Sequence, residues 1–205
     1  MRVLPDPYIL AFLLVDGVLL LLLFSRLTSA LRAGAACFRS SYGTEEMLGN
    51  NFLCGSVQRA CLLLLPLFAA TLVVTDVSAA GFWWTLVLLL ALLLFRRLAC
   101  LAIGWLSSRQ AAFRSLEIMG LAVLVLVMFA SLPAFLAGWL LPRTPRWLLW
   151  GYLAVVAAAG LGVYVWRGSS MILQTRFSIC FWVLYLCGLE FLPICVVANF
   201  LINGN

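Results

Sequence analysis

The sequence predicts an all-α fold: a polytopic membrane helix bundle of about six transmembrane helices, with a short interfacial helix after the first. The first observation is composition, because 66% of the 205 residues are hydrophobic, only 10% are charged, and the mean hydropathy is +1.16. The second is that the apolar residues form separate runs, each close to the ~20 residues that cross a hydrocarbon core ~30 Å thick. A soluble domain is about half apolar and about a quarter charged. The composition therefore excludes a soluble fold, a disordered chain and a secreted disulfide-rich protein.

Six apolar runs define the predicted spans of a single integral membrane domain over residues 1–205. They cover about 7–24, 57–77, 82–106, 118–141, 147–166 and 177–202. We expect the first run to be retained rather than removed as a signal peptide. Acidic Asp6 lies close to Arg2, Asp16 interrupts the run, and no clear small-residue cleavage site follows.

The segment 25–56 is the longest polar stretch and is predicted to be a cytoplasmic loop. Its first half places Leu27, Leu31, Ala35 and Phe38 on one helical face. A basic segment with one apolar face is typical of a short helix lying in the membrane interface.

The run 82–106 is interrupted by Arg96 and Arg97 after fourteen apolar positions. Two structures are compatible with this pattern. Either the helix ends near Arg97 and the rest lies along the membrane surface, or the arginines are partly intramembrane and snorkel. We favour a tilted span with both arginines near its inner end.

The orientation follows from the arginines, which supply all thirteen basic residues. The odd-numbered loops carry most of them, whereas the other side carries only Arg2, Arg143 and Arg146. The positive-inside rule then predicts that the odd-numbered loops lie in the cytoplasm and that both termini lie on the opposite side of the membrane. Because the arginines lie between apolar runs, the net charge of +6 indicates contact with lipid headgroups and not with nucleic acid.

Several chemistries are excluded or made unlikely by composition. The chain has no histidine and no lysine, so histidine-ligated metal sites, serine–histidine hydrolysis and lysine Schiff-base chemistry cannot be assembled. The seven cysteines include no Cys-x-x-Cys pair and are interpreted as packing residues. We expect no metal, no cofactor and no enzymatic activity.

Two carboxylates fall inside spans, Asp16 in the first and Glu190 in the last. One interpretation is a proton or cation site inside the bundle. The other is a protonated carboxyl, or an ion pair with Arg96 or Arg97, that only fixes helix packing. Pro193 cannot donate to the carbonyl of Leu189, so a bend there would give Glu190 a local pocket.

The segment Phe181–Pro193, which reads FWVLYLCGLEFLP, resembles the Tyr-Leu-Cys-x-Leu-Glu-x-Leu-Pro signature of a membrane protein family of Bacteroidota, domain of unknown function 4271. The resemblance covers mainly the last span. It implies an inner-membrane location and gives signature status, without any role, to Tyr185, Glu190 and Pro193.

Other features are weaker. Arg114 and Glu117 are interpreted as a surface pair of little energy. Gly160 and Gly162, with alanines 157–159, are predicted to give the fifth span one smooth face for close helix approach.

Three classes of function are compatible with this composition. The first is a non-catalytic subunit or assembly helper that packs against a membrane-protein partner, or against a second copy, within the lipid bilayer. The second is a small transporter or channel coupled to protons or ions through Glu190. A membrane enzyme comes last, because the seven acids are scattered over separate segments.

Overall fold

The computed structural model describes residues 7–39, 51–75, 81–106, 110–140, 144–174, 195–196 and 199. Nearly all of these residues belong to six helices. They are α1 (Pro7–Leu22), α2 (Phe24–Arg39), α3 (Asn51–Val74), α4 (Phe82–Leu106), α5 (Gln110–Leu140) and α6 (Arg146–Gln174). The predicted all-helical bundle is confirmed.

Four of these helices, α3 to α6, are long and apolar enough to cross a membrane, which suggests a membrane protein. The helix α1 is apolar but has only 16 residues. The predicted last span, 177–202, lies outside the described residues except for three positions. The expected count of about six spans is therefore not confirmed.

Helix α5 is the centre of the bundle, because it packs against α2, α3, α4 and α6. About half of the apolar stretch of α3 and of α5 is buried, whereas α4 and α6 lie at the edge with most of their surface exposed. The core between α3 and α5 includes the fully buried Leu64, Leu65, Val125 and Met128. Apolar side chains on the outer faces of α4 and α6 are the expected contact with lipid.

The helices extend beyond the predicted spans. Helix α3 begins at Asn51, α5 begins at Gln110, and α6 continues to Gln174. The predicted span bounds at 57, 118 and 166 lie inside these helices, because hydropathy reports the depth of the hydrocarbon core, whereas backbone hydrogen bonding continues into polar residues. Within these extensions the hydroxyls of Ser56 and Ser169 donate to the carbonyls four residues earlier.

Helix α4 runs without a break from Phe82 through both arginines to Leu106. The alternative in which the helix ends near Arg97 is therefore wrong. Arg97 lies nine residues before the end of the helix, about 13 Å along its axis. The arginines accordingly lie well inside the helix and not at its end.

The predicted interfacial helix exists as α2, but it is packed against the bundle. Leu27 and Ala30 are buried, and Leu31 packs on the core between α3 and α5. Ala35, assigned to the same face, is exposed, and the side chain of Phe38 lies outside the described residues. The predicted apolar face of this helix is therefore buried in its first turns but exposed at Ala35. Segment 25–56 contains most of α2 and the first residues of α3, so it is not a loop throughout.

Polar groups of the membrane helices are satisfied mostly within or between helices. The hydroxyls of Thr71 and Thr75 donate to carbonyls four residues earlier in α3. The indole Nε1 of Trp150 on α6 donates to the carbonyl of Thr75 at 2.8 Å. This bond joins α6 to the last turn of α3, where a helix leaves carbonyls without internal partners.

Helix α6 approaches α5 closely at Gly160. A Cβ atom at this position would overlap the side chain of Val127 and lie 3.7 Å from Val123 Cγ1. At Gly162, in contrast, a Cβ atom would have no neighbour within 4 Å in the part of the chain that the structure describes. Residues two positions apart in a helix are separated by about 200° of rotation about the helix axis. The two glycines therefore lie on opposite sides of α6, and the prediction of one shared smooth face is wrong.

We predict that Gly160→Ala destabilises the purified protein by about 1–3 kcal/mol, because the added methyl overpacks the contact with Val127. Gly162→Ala is the matched control and should leave stability nearly unchanged. The measurement is the thermal unfolding midpoint in a mild detergent. Equal midpoints for the two variants would contradict the close approach of α5 and α6.

Candidate functional site

Asp16 faces the interior of the bundle. Ile9, Leu13, Asp16 and Leu20 recur at helical spacing along α1, and the three apolar members pack on the core. Asp16 is only 6% exposed, and its Oδ2 has no hydrogen-bond partner among the described residues. The alternative in which this carboxyl pairs with Arg96 or Arg97 is therefore not seen among the described residues.

The carboxylate that meets an arginine of α4 is instead Glu117 on α5. Arg97 Nε lies 3.7 Å from Glu117 Oε1, with the arginine side chain 60% exposed and the glutamate side chain 12% exposed. The interpretation of Glu117 as half of a surface pair with Arg114 was wrong. Glu117 lies on the side of α5 that faces the bundle, because Phe113 one turn before it and Gly120 one turn after it are both buried.

The side chain of Arg96 points toward α5 and α6, in a different direction from that of Arg97. Its guanidinium carbon lies 5.3 Å from the centre of the Tyr164 ring, which is a cation–π distance. The guanidinium occupies the space beside Gly120, where a Cβ atom would overlap it. Gly120 and the ring of the buried Tyr164 therefore line the space that the Arg96 guanidinium occupies.

A groove between α3, α4 and α5 adjoins these arginines. It consists of two neighbouring cavities, an inner one of about 170 Å³ and an outer one of about 510 Å³. Both are lined by Gln58, Arg97 and Glu117. We call this feature the α3–α5 groove.

The two cavities differ in their remaining lining. The inner cavity adds Arg96 and five leucines, Leu62, Leu90, Leu93, Leu94 and Leu121. The outer cavity adds Arg114 together with Cys54, Cys100, Trp105 and Phe113. Each cavity therefore has two arginines, but the outer one exposes more polar surface, and the wall of the inner one is mainly leucine.

Three of the predicted site residues are not placed by the structure. Tyr185, Glu190 and Pro193 lie outside the described residues, so the proposed site around Glu190 and its distance from Asp16 are untested. Cys54, Cys61 and Cys100 are buried, in agreement with a packing role. Among the described residues, no group of three or more cysteine, aspartate or glutamate side chains could hold a metal ion.

Sequence reasoning missed Glu117 as the partner of Arg97 and Gln58 as a residue that lines the groove. A usable signal was present for Glu117. Only residues 107–109 separate α4 from α5, and helices with so short a connection are antiparallel neighbours. Arg97 lies nine residues before the end of α4 and Glu117 seven residues after the start of α5, so the hairpin places them at the same level. No comparable signal relates Gln58 on α3 to this hairpin.

Comparisons with protein-family models, curated protein sequences and solved structures give no match for this chain.

We predict that Gly120→Ala destabilises the protein, because the new methyl takes the space of the Arg96 guanidinium and moves it off the Tyr164 ring. The expected loss is about 0.5–2 kcal/mol, the range of a cation–π contact. The measurement is the unfolding midpoint of four proteins: wild type, Gly120→Ala, Arg96→Leu and the double variant.

The Arg96→Leu background is the control for this prediction. Without the guanidinium, Gly120→Ala should cost much less, which gives a coupling energy between the two positions. Additive effects of the two substitutions would contradict the contact.

Proposed function

We propose that this chain is a multi-pass protein of the bacterial inner membrane that acts as a non-catalytic subunit or assembly helper. It packs against a partner helix through the outer face of α6. The partner is another membrane protein or a second copy of the chain. The observation that carries the proposal is the open, small-residue face of α6 opposite its contact with α5.

The outer face of α6 is centred on Gly162. Gly151, Val155 and Ala158 lie within about 40° of Gly162 around the helix axis, and all four are exposed. Among the described residues, none lies within 4 Å of a Cβ atom built at Gly151 or at Gly162. Small residues allow helix backbones to approach closely, which is how membrane helices associate without a hydrophobic driving force between them.

The opposite face of α6 supports this use of small residues. At Gly160 the same helix already accepts the Val127 side chain of α5. The chain thus uses a glycine for one close helix contact in α6 and presents a second glycine about 200° away. The outer face has the composition of a second helix contact.

The orientation is also part of the proposal. Arg97 and Arg114 lie toward the end of the bundle where α4 ends and α5 begins. We assign this end to the cytoplasm, because arginine-rich ends of short membrane loops face inward.

Membership in the Bacteroidota family is also part of the proposal, and it depends on the residues 181–193.

We predict that Gly162→Leu abolishes co-purification of a stoichiometric partner, because the leucine side chain blocks close approach. Ala154→Leu is the matched control, since Ala154 is exposed on the same helix but lies about 80° from Gly162. Each variant is expressed at native level, purified from its own membrane in mild detergent, and its companions are measured by quantitative mass spectrometry.

Two results would contradict this proposal. One is an unchanged partner stoichiometry in Gly162→Leu. The other is a fall in the unfolding midpoint of the isolated Gly162→Leu chain, which would show that the chain itself covers this face.

A further inference from the structure

We propose that the α3–α5 groove binds one anionic phospholipid, with the phosphate on Arg97 and Arg114 and an acyl chain along the leucines of the inner cavity. This site is independent of the outer face of α6 and of any partner there. Three properties of the groove support it: its charge, its gradient of polarity and its opening.

The charge of the groove is positive. Among the described residues that line its outer cavity, the guanidinium groups of Arg97 and Arg114 and the carboxylate of Glu117 give a formal charge of +1. An excess of positive charge inside a membrane-spanning bundle is costly, and an anion that enters the groove lowers this cost. Arginine binds phosphate oxygens through paired N–H donors, so a phosphate group is the anion that fits these side chains.

The polarity of the groove changes along its length in the way that a phospholipid requires. The outer cavity, which contains Arg114 and Trp105, lies at the end of the hairpin where a headgroup would lie. The inner cavity, whose wall is mainly leucine, extends toward the middle of α4. Tryptophan is typical of the membrane interface, which places the outer cavity at headgroup depth.

The size and opening of the groove suit the same ligand. The outer cavity, at about 510 Å³, lies within the range of ligand sites, ~300–1,000 Å³. Leu62 and Leu94, at the side of the inner cavity, are 58% and 61% exposed on the outer surface of the bundle. An acyl chain can therefore enter sideways from the bilayer. Basic pockets between membrane helices on the cytoplasmic side are known to bind anionic headgroups.

The test is native mass spectrometry of the purified protein in a detergent without phosphate, titrated with dioleoyl phosphatidylglycerol. We expect one lipid per chain. Dioleoyl phosphatidylcholine should bind at least tenfold more weakly, because its headgroup carries no net charge. Arg97→Gln combined with Arg114→Gln should weaken phosphatidylglycerol binding at least tenfold.

Two controls separate the site from general electrostatics and from misfolding. Arg32→Gln removes an exposed arginine of α2 that does not line the groove, and it should bind as wild type does. The double variant Arg97→Lys with Arg114→Lys keeps both charges and should retain binding within a few-fold.

Two further measurements show whether the bound phosphate belongs to a lipid or to a soluble anion. Glycerophosphoglycerol and inorganic phosphate carry the anion without acyl chains, and both should compete at least a hundredfold more weakly. Leu94→Trp narrows the opening of the inner cavity and should weaken phosphatidylglycerol while leaving inorganic phosphate unaffected.

Several outcomes would overturn the proposal. They are absence of phosphatidylglycerol from the wild-type protein, equal affinity for phosphatidylcholine, and a loss in Arg32→Gln as large as in the glutamine double variant. Inorganic phosphate binding as tightly as the lipid would show a site for a soluble anion instead.

Discussion

The structure depends on the presence of two guanidinium groups inside an otherwise apolar helix. Insertion of one arginine at the centre of a membrane helix costs about 2.5–3.5 kcal/mol. Helix α4 carries two in succession, and consecutive residues point about 100° apart. The two guanidinium groups therefore contact different neighbours. Arg97 pairs with Glu117 on α5. Arg96 lies over the Tyr164 ring of α6 and in the space beside Gly120. The two arginines thereby link α4 to α5 and to α6.

The central position of α5 follows from the same requirement. It provides Glu117 and Gly120 to the arginines of α4, and Val127 to the close approach of α6. Gly120 of α5 leaves space for the Arg96 guanidinium of α4. Larger residues of α5, such as Val125 and Met128, fill the core with α3. The α3–α5 groove is the space left beside this hairpin. It is positively charged because Glu117 neutralises only one of the guanidinium groups that line it.

The sequence was sufficient for the helical bundle and for most helix positions, because apolar runs and their lengths depend only on local composition. It was not sufficient for the helix ends, since hydropathy stops at the hydrocarbon boundary and the helices α3, α5 and α6 do not. For the site, Asp16 was identified as a carboxylate inside a span, and Arg96 and Arg97 as arginines that interrupt an apolar run. Their surroundings depend on which helices touch, and the opposite roles of Gly160 and Gly162 could be read from helical rotation only once α5 was known to lie on one side. The expectations for Glu190 fall outside the described residues.

The central claim is that Arg97 and Glu117 face each other across the α4–α5 hairpin. Exchange of the two charges tests it most directly, by comparing the unfolding midpoints of Arg97→Glu, Glu117→Arg and the double variant in lipid nanodiscs. Each single variant places like charges together and should lower the midpoint, whereas the double variant should recover most of the loss. A double variant whose midpoint falls by the sum of the two single losses would contradict the pairing.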